Sequence, residues 1–503
     1  MLTYTFTNIG SDSLYEHLYK CIKSDILQGK LVAGERLPSK RPFAKNLGIS
    51  VITVENAYEQ LIAEGYIYSI PKRGFYVADL KDIESLQGSG LHLGAHGSAD
   101  FGYSGAGMRA PSSAMYGGTH LGSASDFDCE DLESAAEATP YLADFSSNQT
   151  DSRIFPFTVW AKTMRELLNE NQEQLMINPP CGGIFELRTS ICDYLREFRG
   201  MHVNPEQIII GAGTEYLYSI LIQILGNDKI YGLENPGYPK LAKIYKCHHV
   251  PYRYIDIDED GISASALEAE NISVIHISPS HHFPTGIVTP VSRRYELLGW
   301  AARKPGRYII EDDYDSELRL AGKPIPTLQS IDVSDHVIYI NTFTKTLSST
   351  VRIGYMILPK PLAEKYYEDF SFYSCTVSNF EQYTLAKFMA NGSFEKHINR
   401  LRNYYQIKRD AILSTFRESP LKDYIQITEE ESGVHFLMHI DTPKSEKELI
   451  REALEAGIRL APLSDYYSEF ENHGLLNTYV MNYSSVNLDN LERVAENLYK
   501  IVK

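Results

Sequence analysis

Residues 339–355 of this chain are YINTFTKTLSSTVRIGY, and they continue an apolar run that begins at His336. The run predicts a buried strand, which would deliver Lys345 into a loop rich in hydroxyl groups. Arg352 follows before a second apolar run. A lysine at a strand end can form a Schiff base with an aldehyde, while hydroxyl groups and a guanidinium suit a phosphate. Pyridoxal 5′-phosphate (PLP) carries both groups, so this stretch indicates a PLP site.

Earlier segments supply the other parts that such a site needs. A predicted strand at 207–210 leads through Gly213-Thr214 into a helix, whose free backbone N–H groups form an anion site. A second predicted strand at 308–310 ends in a run of carboxylates that includes Asp312, followed by Tyr314. Carboxylates at the C-terminal edge of a strand lie where an open α/β sheet binds its ligand. An ionised carboxylate would keep the pyridine nitrogen protonated, so that the ring acts as an electron sink.

The first 78 residues are organised differently. Apolar residues at helical spacing predict three helices, which begin at Leu14, after Ser39 and after Ser50. Both serines are expected to cap the helix that follows with the side-chain hydroxyl. A two-stranded hairpin is predicted at 66–77, with its tip at 71–74. Three helices followed by a hairpin indicate a winged helix-turn-helix domain.

The segments GERLPSKR (34–41) and LGISVITVENAY (47–58) resemble the GntR family of bacterial repressors, over nearly all of residues 13–78. The resemblance implies that basic side chains of this domain contact a double-stranded DNA operator. Arg41 and Thr53 would approach base edges, while Lys72 and Arg73 would contact phosphate or the minor groove. The expected DNA-binding residues are Arg36, Lys40, Arg41, Thr53, Lys72 and Arg73.

The remainder of the chain divides into a linker and a larger domain. Helical and strand periodicity disappear after Asp79, and the composition to residue 140 is rich in glycine and serine, which predicts a flexible linker. From Tyr141 onward, short apolar strands alternate with helical patterns, and this predicts an α/β domain with a largely parallel sheet. A mainly helical pattern after Pro361 predicts a smaller second lobe. The expected boundaries are 1–78, 79–140 and 141–503.

Composition limits the possible partners. The chain has 503 residues and a net charge of −17, so DNA contacts must come from a local basic surface. Its six cysteines are scattered without the spacing of a zinc module or a disulfide framework, which suits a reducing cytoplasm. Neither an export signal nor a long apolar run is present, so a membrane location is not expected.

The order of functional residues in the second domain resembles that of the fold-type I aminotransferases. Joined to a GntR-like head, the chain resembles the MocR family of PLP-dependent transcription regulators, and the motifs EDDYDSE (311–317) and TFTKTL (342–347) carry this resemblance. It implies that Lys345 forms the internal aldimine, Asp312 pairs with the ring nitrogen, Tyr314 contacts the ring oxygen and Tyr238 stacks on the ring. It also implies a homodimer in which each head crosses to the partner's domain. The expected cofactor-binding residues are Gly213, Thr214, Tyr238, His281, Asp312, Tyr314, Thr342, Thr344, Lys345 and Arg352.

Two departures from the aminotransferase pattern bear on activity. Many aminotransferases have Asn-Pro-Thr-Gly where this chain has FPTG at 283–286, and His281 is a candidate to replace the missing asparagine. The arginine that binds the substrate α-carboxylate would lie near the last strand, yet residues 477–483 contain none. Arg402 and Arg459 are possible replacements, and both could equally be structural.

Three functions are therefore open. The favoured one is a transcription regulator that senses a small amine, an amino acid or PLP, without efficient turnover. The alternative is an active aminotransferase with an appended DNA-binding domain, against which the head and the two departures argue. A GntR repressor that has lost the cofactor is the third, and the intact pair of Lys345 and Asp312 argues against it.

Overall fold

The computed structural model of this chain describes Tyr4 and residues 14–63, 66–70, 74–77, 141–147, 149–320, 326–428, 433–468 and 477–503. The predicted linker at 79–140 lies outside the described residues, as do Lys72 and Arg73 at the predicted hairpin tip. Within the described ranges, no helix combines the length and apolar character needed to cross a membrane.

The head is a three-helix domain with a small sheet. Its elements are α1 (Leu14–Leu27), β1 (Arg36–Leu37), α2 (Lys40–Leu47), α3 (Val51–Ala63), β2 (Ile67–Ile70) and β3 (Gly74–Val77). Apolar residues at helical spacing, such as Leu18, Ile22 and Val54, meet in one core. Tyr58 joins the helices to the sheet, since its ring packs edge-on against Phe75 at 4.9 Å.

Two details of the head correct the sequence-based expectations. The sheet has three strands in the order β1-β3-β2, because Arg36 and Leu37 pair with β3; the predicted hairpin was incomplete. Ser39 occupies the N-cap of α2, but its hydroxyl makes no capping bond, so that predicted cap is wrong. Ser50 does cap α3, since its Oγ accepts the N–H of Thr53 at 3.0 Å.

Twelve strands of the second domain lie within the described residues. They are β4 (Ala143–Asp144), β5 (Ile208–Gly211), β6 (Tyr231–Asn235), β7 (Tyr252–Asp256), β8 (Val274–Ile277), β9 (Tyr308–Asp312), β10 (Val337–Thr342), β11 (Gly354–Ile357), β12 (Ile425–Thr428), β13 (His435–Ile440), β14 (Ile458–Arg459) and β15 (Thr478–Asn482).

Its helices lie between and after the strands. They are α4 (Phe157–Glu170), α5 (Gln172–Leu175), α6 (Phe185–Arg199), α7 (Thr214–Leu225), α8 (Pro239–Cys247), α9 (Ala264–Ala269), α10 (Val291–Ala302), α11 (Leu328–Ile331), α12 (Lys360–Phe370), α13 (Asn379–Ala390), α14 (Ser393–Glu418), α15 (Glu446–Glu455) and α16 (Leu491–Val502).

A seven-stranded sheet forms the centre of this domain, in the order β5-β11-β10-β9-β8-β6-β7. Only β11 runs antiparallel to its neighbours, which confirms the predicted α/β class with a largely parallel sheet. Both faces of the sheet are covered: Ile338 and Ile340 of β10 pack in the same core as α7, while Tyr339 between them packs in the same core as α6. Strands buried on both faces account for the continuous apolar runs in the sequence.

A smaller lobe follows α13. Its antiparallel sheet has the order β12-β13-β15, and helices α15 and α16 cover it. Strand β4, near the start of the domain, pairs in parallel with β14 of this lobe. The large sheet directs the ends of β5, β6, β8, β9 and β10 toward one edge, so the loops after these strands can form one site.

One buried ion pair anchors the strand that carries Asp312. Arg294 on α10 and Glu311 on β9 are both fully buried, with Nη1 and Oε1 3.4 Å apart. Glu311 also accepts the N–H groups of Leu328 and Gln329 at 2.8 and 2.9 Å. Burial raises the pKa of Glu311 to about 7, although Arg294 opposes the shift.

Replacing Arg294 should destabilise this domain because it leaves the Glu311 carboxylate buried without its cation. We expect Arg294→Met to lower the free energy of unfolding by about 3–5 kcal/mol at pH 8. The loss should be smaller below pH 6, where Glu311 is protonated. Urea titrations followed by the fluorescence of Trp300, which is buried on the same helix, measure this effect. Arg303→Met, an exposed change at the end of that helix, should leave the transition unchanged; equal losses in both variants would contradict the assignment.

Candidate functional site

Lys345 lies in the turn after β10 and is buried. Burial lowers the pKa of its ammonium group to about 8, although the carboxylate of Asp315 opposes the shift. A lysine of this acidity is partly neutral near physiological pH, and the neutral amine is the form that attacks an aldehyde.

Asp312 ends β9, the strand adjacent to β10 in the sheet. The Tyr218 hydroxyl on α7 donates to its Oδ2 at 2.5 Å, and His276 Nε2 on β8 lies 3.5 Å from the same oxygen. Tyr245 hydrogen-bonds in turn to His276 Nδ1 at 2.9 Å. The other oxygen of Asp312, Oδ1, is buried and has no hydrogen-bond partner among the described residues. One oxygen of this carboxylate is therefore held by the protein, while the other can accept a hydrogen bond from a ligand.

His281 brings together the loops that follow β8 and β9. Its Nδ1 lies 2.8 Å from Asp315 Oδ2 and 3.3 Å from the hydroxyl of Tyr314. The ring of His435, from the smaller lobe, packs against His281 with centroids 4.7 Å apart. Backbone of the same lobe approaches closely too, since a Cβ on Gly433 would lie 2.3 Å from His281 Cε1. His281, the predicted replacement for the missing asparagine, is thus adjacent to Tyr314, which is predicted to contact the ring oxygen of the cofactor.

A second cluster forms at the N-terminus of α7. Gly213 has a left-handed backbone (φ +88°), and a Cβ there would lie 2.4 Å from Arg352 Nη2. Arg352 donates to Glu215 Oε2 at 2.6 Å and remains about half exposed. Although burial would raise it, hydrogen bonds from Lys240 and Arg352 lower the pKa of Glu215 to about 2. A glycine, a helix N-terminus and a guanidinium meet here, as an anion site requires.

The two threonines assigned to the same anion site turn largely toward their own loop. The hydroxyls of Thr342 and Thr344 hydrogen-bond to each other at 2.7 Å. Thr342 Oγ1 also donates to the carbonyl of Ile353, the residue after Arg352, at 3.3 Å. The loop is therefore adjacent to the predicted phosphate site, but these hydroxyls already have protein partners.

Tyr238 precedes α8 and forms one wall of an open pocket of about 470 Å³. Its ring meets Phe283 edge-on at 6.0 Å. Glu234 and His276 line the same pocket, and burial raises the pKa of Glu234 to about 8. The pocket therefore lies between Tyr238 and the ends of β6 and β8, where the ring of the cofactor is expected.

Several residues of the site were not predicted from the sequence: Tyr218, Glu234, His276, Asp315 and His435. Asp315 belongs to the carboxylate run after β9, and His435 stands at the start of a mixed apolar segment, so both had a local signal. The other three belong to ordinary apolar or turn segments, and only the packing of the strands brings them to Asp312.

Neither candidate arginine for a substrate carboxylate is free. Arg402 donates to the backbone carbonyl of Glu317 at 2.6 Å. Arg459 lies 3.7 Å from Asp144 and packs over the ring of Tyr141. Within 477–483, the side-chain oxygen of Asn482 accepts from Ser484.

Four of the predicted DNA-contacting residues lie within the described ranges, and they occupy α2, α3 and β1. Arg36 and Arg41 are exposed, and the guanidinium of Arg36 lies over Gly74, where a Cβ would be 3.3 Å from its Nε. Lys40 pairs with Glu55 at 2.7 Å. The Thr53 hydroxyl is 2.7 Å from that of Ser50.

The residues around Lys345 and Asp312 fit PLP. The partnerless Oδ1 of Asp312 suits a protonated ring nitrogen, and Gly213 leaves a cradle for phosphate beside Arg352. The buried Lys345 provides the amine. A winged helix-turn-helix head on a domain with this site defines a class of protein that combines DNA binding with an aminotransferase fold.

Comparisons with known proteins agree with this class. The profile of aminotransferase class I and II matches residues 142–491, and that of bacterial regulatory proteins of the gntR family matches residues 14–77. The chain therefore belongs to the aminotransferase class I and II family, in the MocR-type form that carries a GntR domain as its head. The structure of kynurenine aminotransferase from Pyrococcus horikoshii shares the fold, with a TM-score of 0.63 and 22% identity over 76% of this chain and 96% of that one.

Curated relatives match most of the length of this chain. The uncharacterized HTH-type transcriptional regulator YdeL of Bacillus subtilis is 39% identical over 445 residues, which are 88% of each protein. The probable rhizopine catabolism regulatory protein MocR of Rhizobium meliloti is 29% identical, over 88% of this chain and 85% of the relative. The pyridoxine biosynthesis regulator PdxR of Corynebacterium glutamicum is 28% identical, over 86% and 84%.

The lowered pKa of Lys345 predicts how PLP should react with the apoprotein. Because only the neutral amine attacks, the rate of covalent attachment should rise with pH around a midpoint near 8, not near the ordinary lysine value of 10.5. Asp315 holds the pKa up, so Asp315→Asn should move the midpoint to lower pH. Stopped-flow absorbance gives the profile, and Lys345→Ala supplies the background from surface lysines.

Lys408 is an internal control for this measurement. It is buried, with its pKa also lowered to about 8 by burial, but it donates to the carbonyl of Ser484 instead of lying near Asp312. After borohydride reduction, peptide mass spectrometry should find the cofactor on Lys345. Modification of Lys408, or a midpoint near 10 for Lys345, would contradict the assignment.

Proposed function

We propose that this chain is a PLP-dependent transcription regulator, which binds an operator through its head and senses a small amine, an amino acid or PLP through its second domain. The observation that carries the proposal is the position of Lys345 and Asp312 at one edge of the sheet, with Oδ1 of Asp312 available to a ligand. The same chain carries a winged helix-turn-helix with exposed arginines. The function places the protein in the cytoplasm, where DNA is available.

In this proposal each side chain of the site has one role. Lys345 attaches the cofactor, Asp312 pairs with the ring nitrogen, and Tyr238 covers the ring. Tyr314, positioned by His281, contacts the ring oxygen. When bound, PLP supplies an aldehyde that reacts with amines and a ring that stabilises negative charge. The phosphate group is assigned to the backbone and side chains of Gly213, Thr214, Thr342, Thr344 and Arg352.

The charges around Lys345 favour a cationic effector. Asp315 acts on the lysine ammonium, and Glu234 lines the adjoining pocket. Burial raises the pKa of Glu234 to about 8, so the attraction of a cationic amine rests on Asp315. An α-carboxylate, by contrast, finds no arginine at 477–483, and Arg402 and Arg459 are engaged elsewhere. An amine or amino acid would therefore bind without the fixed orientation that fast proton removal requires.

An active aminotransferase is the second candidate, and the acidity of Lys345 is the observation that favours it. A lysine with a pKa of about 8 can serve as a general base near neutral pH. The DNA-binding head favours the regulator, and so do the protein contacts of Arg402 and Arg459. Turnover and operator binding must therefore be measured on the same protein to decide between the two functions.

The head supports operator binding through its surface charges. Arg41 and Lys45 are exposed on α2, and Arg36 is exposed beside the sheet. These side chains would contact phosphate or base edges while α3 enters the major groove. Lys72 and Arg73 are proposed as further contacts of the hairpin.

A homodimer is proposed from an apolar surface of the second domain. Met176, Ile177, Phe185 and Phe380 are all exposed there. The segment of Ile177 is tied to α13, because Asn379 donates to its carbonyl at 2.5 Å. Apolar side chains gathered in this way are typical of a surface that another protein covers, and a second copy would supply an identical face.

Operator binding should respond to an amine through Lys345. With PLP-loaded protein, an effector amine should change operator affinity by about 5–150-fold, the range of coupling free energies of 1–3 kcal/mol. Lys345→Ala should bind the operator but lose this response. Fluorescence anisotropy on operator DNA, with and without a panel of amines and amino acids, measures both. Many turnovers of an amino donor, with no change at the operator, would instead establish the aminotransferase.

Disrupting the apolar surface should dissociate the dimer. Ile177→Asp places a charge where a partner would bury an apolar side chain, so the dissociation constant should rise by at least tenfold. Sedimentation velocity over a range of concentrations measures this change. Val333→Asp, at an almost fully exposed valine before β10, is the matched control and should leave the dimer intact. A wild-type monomer at micromolar concentration would refute the proposal.

A further inference from the structure

We infer that the front of α3 reads A·T base pairs through thymine methyl groups, contacted by Val51 and Ile52, and through an adenine edge contacted by Asn56. The inference rests on the proposed operator binding and specifies which bases the operator carries. It is drawn from the side chains that α3 exposes.

Burial divides α3 into two faces. Val54, Ala57, Tyr58 and Leu61 recur at helical spacing and are fully buried in the core of the head. On the opposite face Ile52 is 67% exposed, and Val51 beside it is 40% exposed. Asn56 is exposed one turn after Ile52. Two large aliphatic side chains at the start of a helix therefore point away from the core that the described residues of the head form.

The polar groups near this face already have partners in the head. Glu55 is held by Lys40 at 2.7 Å, so its charge is compensated. The hydroxyls of Ser50 and Thr53 hydrogen-bond to each other at 2.7 Å. These contacts leave the methyl groups of Val51 and Ile52, together with the amide of Asn56, as the groups that α3 offers to a ligand.

The surrounding charge identifies that ligand as DNA. Arg41 and Lys45 on α2 and Arg36 on β1 are exposed around the same helix. Such cations position a duplex by its phosphates, and the first residues of the second helix in a helix-turn-helix then face base edges in the major groove. Val51 and Ile52 are the first two residues of α3.

Only one base offers an apolar group in the major groove. The C5-methyl of thymine contacts apolar side chains, whereas guanine and cytosine present polar atoms that an aliphatic side chain would leave without partners. Asparagine pairs with N6 and N7 of adenine. Because a methyl contact releases no counterion, its contribution to affinity should not depend on salt concentration.

The experiment begins with the PLP-loaded full-length protein and selection of binding sites from a random duplex library. A series of duplexes of the selected site is then made, and in each duplex one thymidine is replaced by deoxyuridine. This replacement removes only the methyl group of the thymine. At the thymines that face α3, each substitution should weaken binding about fourfold, equivalent to about 0.8 kcal/mol per buried carbon. This factor should be the same at 50 and 200 mM salt, although overall affinity falls steeply with salt. Deoxyuridine elsewhere in the site should have no effect.

Variants assign the methyl contacts to residues. Each variant is combined with each deoxyuridine duplex in a double-mutant cycle. Ile52→Ala should remove most of the loss of affinity caused by deoxyuridine at one position, and Val51→Ala should do the same at another. Asn56→Ala should remove the penalty for 7-deazaadenine, which lacks the N7 acceptor. Val32→Ala is the control, since Val32 is an exposed aliphatic residue of the head outside α3. These side chains are exposed, so the variants should keep the fold, which circular dichroism checks.

The outcomes separate this inference from the function on which it rests. A selected site without thymine opposite α3 would overturn it, and so would deoxyuridine penalties that persist unchanged in Ile52→Ala and Val51→Ala. In both cases the protein would remain a sequence-specific DNA-binding protein. Failure to select any sequence with the full-length protein would instead refute operator binding itself.

Discussion

The parallel register of β9 and β10 is the constraint on which the rest of the site depends. Ile340 lies opposite Asp312, so the two strands end together and bring the carboxylate and Lys345 to the same edge. Side chains alternate between the two faces of a strand. The next residue, Asp313, therefore points to the other face, where Arg199 and Tyr339 donate hydrogen bonds to its carboxylate. A slip of one residue would exchange these two aspartates. Burial of apolar side chains on both faces of β10 makes such a slip costly.

This register concentrates ionisable groups in a part of the domain that has little water, and each group is held by a specific partner. Arg294 compensates Glu311, and Arg199 compensates Asp313. Glu317 accepts from Asn341 at 3.2 Å, while burial raises its pKa to about 7. Asp312 Oδ1 and Glu317 Oε2 are both buried without a hydrogen-bond partner among the described residues. Of these two carboxylates, Asp312 lies at the end of β9, the strand paired with the one that precedes Lys345.

The parts of the site that could be predicted from sequence are those whose signal is local. Lys345, Asp312 and Gly213 each follow an apolar run, and in a parallel sheet the ends of such runs meet at one edge. Tyr218 and His276 could not be predicted, because an apolar helix and a buried strand give no sign of which polar side chain faces the carboxylate. β1 was missed for a similar reason, since two residues in a turn become a strand only when β3 pairs with them. Ser39 occupies the N-cap position of α2, but its hydroxyl does not make the capping hydrogen bond. The residue type makes such a bond possible, but it does not determine the side-chain rotamer that would form it.

The smaller lobe contacts the site at several points, and its contact with His281 is the tightest on the side of Tyr314. Gly433 has a left-handed backbone (φ +66°), and a Cβ there would lie 2.3 Å from His281 Cε1 and 2.7 Å from Asp315 Oδ2. The ring of His435, two residues further, packs against the same histidine at a tilt of 31°. His281 also hydrogen-bonds to the tyrosine assigned to the ring oxygen. A ligand that contacts Tyr314 therefore acts directly on a ring against which the smaller lobe packs. Packed rings and backbone respond to such a change by repacking between discrete arrangements, since dense interiors deform little.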